Sequence, residues 1–177
     1  TLNEDLKKGR KMKPPKELCP HILVEHETTI LFSGPGVGKT ALATQIAFEL
    51  AEQGMRVLVV NFELSQQQLA LRYPNKEFPN TLYHASIDYT KMHDVTDQNL
   101  ILPEIERLAV ERNIELIIID NFTNLCINSK EAAEAGNIMV KLLAMRMTHN
   151  WTMLILAHVP KRKQGDPLTI DDLAGSK

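Results

Sequence analysis

Residues 28–40 read TTILFSGPGVGKT, and the reading of that stretch decides the fold. TTILF is a short run rich in β-branched and apolar residues, which predicts a strand. The segment after the loop, ALATQIAFELAEQG (41–54), carries Leu42, Ile46 and Leu50 every four residues and stops at Gly54, which predicts a helix. Between them stand Gly34, Gly36 and Gly38. A triphosphate needs several backbone N–H groups converging on it, so its loop must carry little side-chain bulk. It also gains from the positive end of a helix dipole. Lys39 would then reach the β and γ phosphates, and the hydroxyl of Thr40 would ligate Mg²⁺. The expected nucleotide site runs through Ser33, Gly34, Pro35, Gly36, Val37, Gly38, Lys39, Thr40 and Ala41. Ser33 stands where the formal pattern has glycine.

The same alternation continues outward. MRVLVV (55–60) predicts the next strand. SQQQLALR (65–72) opens on Ser65 with Gln68 three residues later, a capping-box signature for a short helix. TLYHASI (81–87) predicts a strand, followed by a loop carrying Asp88, Asp94 and Asp97. PEIERLAVERN (103–113) predicts a helix with Pro103 suited to its first turn. ELIIID (115–120), a helix over roughly 131–149 and WTMLILAH (151–158) complete the pattern. Strands alternating with helices, several of them continuously apolar, imply an α/β fold whose parallel sheet is covered on both faces.

Residues 1–20 are polar, with Lys7, Lys8, Arg10, Lys11, Lys13 and Lys16 leading to Pro14, Pro15 and Pro20. They are expected to form a basic flexible arm or linker, because they offer little apolar surface to bury. The folded domain is expected over residues 21–177. With no initiator Met and a last stretch DDLAGSK, the chain is expected to be a C-terminally incomplete fragment.

Composition bounds the function classes. At 177 residues, 44% hydrophobic and 24% charged, the chain suits one soluble domain with a core. A net charge of −2 gives no global electrostatic case for nucleic acid, though a local basic stripe is compatible with it. No apolar run approaches the ~20 residues of a membrane helix. Cys19 and Cys126 lie far apart and form no metal motif, which reads as reduced thiols in a cytoplasmic protein. His21 and His26 are badly spaced for a shared metal, and Trp151 reads as core or sheet rim.

A phosphate loop needs a second acid at the end of another buried strand. Asp120 supplies it after Leu116-Ile117-Ile118-Ile119, where a carboxylate can contact Mg²⁺ or a water bound to it. In doubly wound sheets the carboxyl ends of the strands share one edge, where ligands bind. Residues just past TTILF, RVLVV, ELIII and TMLILA should converge there: the glycine loop, Glu63, Asp120 and His158. Glu63, in NFELSQQQL, could orient a water in line with the γ-phosphate.

These segments resemble the RecA-like ATPases of the hexameric helicase group: DnaB, the phage primase-helicase, Twinkle and plasmid RepA proteins. VLVVNFELSQQQLALR is similar to the segment in which a catalytic Glu follows the second strand, and LIIIDNFTNL looks like the family's Walker B strand. ILAHVPKRKQGDPLTIDDLAGS resembles the phage and Twinkle pattern of a strand ending at His, then a basic loop and Asp-Leu-x-Gly-Ser. The resemblance implies a three-layer α/β/α P-loop NTPase with the sensor strand between the P-loop and Walker B strands. It implies ATP and Mg²⁺ as ligands, Glu63 as catalytic base beside Lys39, and Asp120 with Thr40 at the metal. His158 would be the γ-phosphate sensor. It also implies assembly into a ring, such as a hexamer, or a filament. Lys161, Arg162 and Lys163 would grip the phosphates of single-stranded DNA. Two other classes compete: a regulatory or recombination ATPase similar to RadA or KaiC relatives, and a small nucleotide or metabolite kinase. A kinase would set the P-loop and Walker B strands side by side.

Overall fold

The computed structural model describes residues 1–87, 100–126 and 132–159. In chain order the elements are α1 (Leu2–Gly9), β1 (Glu17–Cys19), β2 (Leu23–Val24), β3 (Thr28–Ser33), α2 (Lys39–Glu52), β4 (Val57–Asn61) and α3 (Gln66–Arg72). Then follow β5 (Leu82–Ser86), α4 (Ile101–Glu111), β6 (Leu116–Asp120), α5 (Phe122–Leu125), α6 (Ala132–His149) and β7 (Thr152–His158). β3, β7, β6, β4 and β5 form one sheet in that order, with every pairing parallel. β7 pairs with both β3 and β6, so the last described strand is inserted between the two that carry the glycine loop and Asp120. This is the RecA-like order, not the adjacent placement expected of a kinase.

The pleat sorts the sheet residues into two cores. Val57, Leu116, Ile118, Leu154 and Leu156 face α2, while Leu58, Val60, Ile117, Ile119, Met153 and Ile155 pack with α4 and α6. Both faces are covered, which is why these strands are continuously apolar rather than alternating. On α2 the buried stripe is Ala43, Ile46, Ala47, Leu50 and Ala51, whereas Leu42, expected in the stripe, is 41% exposed. The buried face thus starts one residue on from Leu42, at Ala43.

The first twenty residues carry more structure than a linker. α1 buries none of its residues, but β1 pairs antiparallel with β2, and Leu18, Cys19 and Ile22 pack against the α2 core. The boundary expected at residue 20 therefore falls inside a hairpin. Trp151 is 4% exposed and stacks on His149, with ring centroids 4.2 Å apart. The cysteines form no disulfide. Among the described residues no helix is long and apolar enough to cross a membrane.

Candidate active site

Because β3, β7, β6 and β4 run parallel, their carboxyl ends lie on one edge. The pairings Ser33↔His158 and Asn61↔Asp120 level the ends within each pair, and Ile119↔Ile155 carries the ends of β3 and β7 two residues beyond those of β6 and β4. The loop after β3 turns through Gly36 at φ +76° and Gly38 at φ +100°, a region that side-chain-bearing residues rarely enter. Gly38 is the N-cap of α2, so the first N–H groups of that helix open onto the loop. Pro35, Gly36, Val37 and Gly38 are exposed, whereas Lys39 is buried behind them.

The Lys39 ammonium lies 2.9 Å from Ser33 O, 3.1 Å from Ser33 Oγ and 3.0 Å from Gly34 O. It also lies 3.2 Å from His158 Nδ1. Ser33, the departure from the formal glycine pattern, thus anchors the lysine through both its carbonyl and its hydroxyl. Burial lowers the proton affinity of Lys39, and the carboxylates of Glu63 and Asp120 oppose that shift.

Asp120 is 5% exposed, and burial holds its carboxyl above the ordinary value. A hydrogen bond with the Thr40 side chain acts in the other direction. Thr40 and Asp120 therefore meet, as expected of two residues that could share a metal. Among the described residues no three His, Cys, Asp or Glu side chains cluster into a metal cage. One hydroxyl and one carboxylate beside a phosphate loop suit an ion held largely by phosphate and water oxygens, which fits Mg²⁺. Thr40, Asn61 and Asp120 also form the polar end of a cavity of about 310 Å³ between α2 and α3, walled by Val59, Leu69 and Tyr73.

Glu63 lies just past β4. Its Oε1 is 2.9 Å from His158 Nε2, and it also accepts from Asn121 Nδ2 and, at 3.5 Å, from Asn124 Nδ2. An ammonium can only donate, so Nδ1 of His158 accepts from Lys39 and Nε2–H donates to Glu63. One imidazole thus joins the lysine of the glycine loop to the carboxylate after β4. The backbone N–H of His158 donates to Thr123 Oγ1 at 3.1 Å, which ties the strand end to α5.

The fold brings together the glycine loop, Lys39, Thr40, Glu63, Asp120 and His158. Lys161, Arg162 and Lys163 lie outside the described residues. The polar frame was not foreseen. Asn61 Oδ1 accepts the N–H groups of Glu63 (2.9 Å) and Leu64 (3.0 Å), while its Nδ2 donates to Leu64 O. Asn121 and Thr123 complete it. Arg72, in the last turn of α3, lies within electrostatic reach of Asp120. The one signal available was that Asn61 and Asn121 both end apolar runs, where an amide can close a turn. Burial pushes the thiol of Cys126, beside α5, up to about 11.

The model of an AAA domain family, AAA_25, matches residues 2–164. The DNA repair protein RadA of Campylobacter jejuni is 28% identical over 146 residues, covering 78% of this chain and 30% of that protein. The DNA repair protein RadA of Synechocystis is 30% identical over 144 residues, covering 75% of this chain and 28% of that protein. The chain thus spans less than a third of the length of these curated relatives. A KaiC-like protein from Pyrococcus horikoshii OT3 has a similar structure, with a TM-score of 0.67 at 18% identity, covering 83% of this chain and 72% of that one. At that identity the likeness speaks for the fold alone. With a matched family model over most of its length, and a glycine loop on a sheet of RecA-like order, this chain belongs to the AAA domain family AAA_25, among the RecA-like P-loop ATPases.

Proposed function

We propose that this protein binds ATP on residues 33–41 and hydrolyses it as a motor ATPase acting on single-stranded DNA. The observation that carries the reading is the row Lys39–His158–Glu63, which joins a phosphate-binding lysine to a water-activating carboxylate through one side chain. Lys39 neutralises charge on the β and γ phosphates. Thr40 and Asp120 hold Mg²⁺, which when bound withdraws charge from the phosphate oxygens. Glu63 orients the attacking water and accepts its proton. His158 senses the γ-phosphate: when Lys39 turns to the phosphate, the Nδ1 contact is released and its effect passes to Glu63. Lys161, Arg162 and Lys163 grip the DNA phosphates, and the subunits assemble into a ring or filament.

A second reading, a RadA- or KaiC-like ATPase that unwinds nothing, is supported by the likeness to the two DNA repair proteins RadA. ATP turnover measured with and without single-stranded DNA separates the two, since only the motor is expected to be accelerated. Lys39→Ala should abolish nucleotide binding or hydrolysis. Glu63→Gln should keep ATP binding and slow turnover by roughly 10²-fold or more, the scale of a lost general base. Near-normal turnover in Glu63→Gln would overturn the assignment of the base.

A further inference from the structure

Glu63 is fixed at two levels by residues the reaction itself does not consume. Asn61 closes the turn that carries its backbone. Its carboxylate is fixed by Asn121, a fully covered side chain at 1% exposure. The orientation of that amide is not arbitrary. Its Oδ1 accepts the backbone N–H of Asn124 at 2.8 Å, a group that can only donate, so Nδ2 must face Glu63 Oε1. The Nε2–H of His158 donates to the same oxygen at 2.9 Å, and Asn124 Nδ2 approaches it at 3.5 Å. An oxygen that accepts from three N–H groups is poorly placed to take a proton from water, so that task falls to Oε2.

We propose that Asn121 is the positioning residue of the water-activating glutamate: its amide pins Oε1 so that Oε2 is presented to the attacking water. The proposal rests on the ATPase reading above. Because Asn121 is the N-cap of α5, the amide is held by the turn that directly follows Asp120, and one corner sets both the metal-side carboxylate and the base. His158 is the movable donor on Oε1 and Asn121 the fixed one. Glu63 therefore keeps one anchor when His158 responds to the phosphate.

Asn121→Ser keeps a good N-cap for α5 but cannot reach Glu63. Asn121→Asp keeps the Oδ1 acceptor and replaces the donor by a second acceptor. Both should lower kcat about 10- to 100-fold, the range for misplacing a catalytic group through its support, with KM for ATP within about twofold. Affinity for a fluorescent ATP analogue should be retained. A purely structural role would not produce the next result: in a Glu63→Ala background, Asn121→Ser should cause no further loss, because the two residues act as one unit. The full loss persisting in that background, or an unchanged kcat in both single variants, overturns the proposal. A wild-type chain with no Mg²⁺-dependent turnover would overturn the ATPase reading and this proposal together. Active wild type with an additive cycle overturns the proposal alone.

Discussion

At Asp120 a carboxylate lies 5% exposed at the end of β6, in contact with the Thr40 side chain and raised above its ordinary pKa by burial. Such a placement serves a metal better than it serves the fold. Because the folded pKa exceeds the unfolded one, the folded state binds this proton more tightly. The resulting stability is present at acid pH and is lost as pH rises through the raised value. Asp120→Asn has no such loss. Its melting temperature should exceed wild type at neutral pH, read by thermal unfolding across pH. The gap should close toward the ordinary carboxylate range, and Mg²⁺-dependent turnover should disappear. A variant that melts below wild type at neutral pH would show that the buried charge is stabilising. At this scale, the residues proposed to touch substrate were legible because they follow apolar runs. Asn121 and Thr123 were not, because the contacts that give them meaning span 58 and 35 residues.

Elements differ in what holds them. α3 buries none of its residues, and its start depends on the Ser65–Gln68 box: Ser65 Oγ accepts from Gln68 N at 3.2 Å, and Gln68 Oε1 accepts from Ser65 N at 2.8 Å. Ser65→Ala should weaken this helix by ~1 kcal/mol. Hydrogen exchange should read that as an approximately fivefold loss of protection across residues 66–72, with β6 and β7 unaffected. Equal loss in the central strands would mean that α3 opens only with the whole domain. β7 is held differently. Leu156 is fully buried on its α2 face, between β3 and β6, so Leu156→Ala should lower unfolding free energy by about 2–5 kcal/mol in a denaturant titration. A loss under ~1 kcal/mol would place the core elsewhere. The Ser65 box was legible because it is local, and the place of β7 between β3 and β6 was implied by the resemblance to RecA-like ATPases. The β1–β2 hairpin was not legible: strands of three and two residues leave no periodicity to read, and Leu18, Cys19 and Ile22 acquire partners only from α2.

For the whole molecule, the proposed hydrolysis calls for an arginine that neutralises transition-state charge. Glu63 and His158 side chains are 31% and 29% exposed, so the proposed catalytic edge is open to a neighbouring subunit. Within the chain, Arg72 bears electrostatically on Asp120, but through an exposed turn of α3 where water screens its charge. Arg162, expected above to grip DNA phosphates, lies outside the described residues. A trans-supplied arginine is worth ~10³–10⁵ in rate where it has been assigned, whereas removing a screened charge such as Arg72 should lower kcat by about tenfold or less. We therefore expect hydrolysis per subunit to fall steeply as the protein is diluted through its assembly range. DNA binding should ignore base sequence. Replacing Lys161, Arg162 and Lys163 together by Ala should reduce the slope of log affinity against log salt by about 2, since each single-strand phosphate contact contributes roughly −0.7. Turnover and fluorescence anisotropy of a labelled oligonucleotide, measured across protein concentration and salt, read both effects. A brisk rate that is constant on dilution, collapses in Arg72→Ala and comes with no salt-dependent DNA binding would assign the arginine in cis. It would also leave the regulatory ATPase as the better account of this fold.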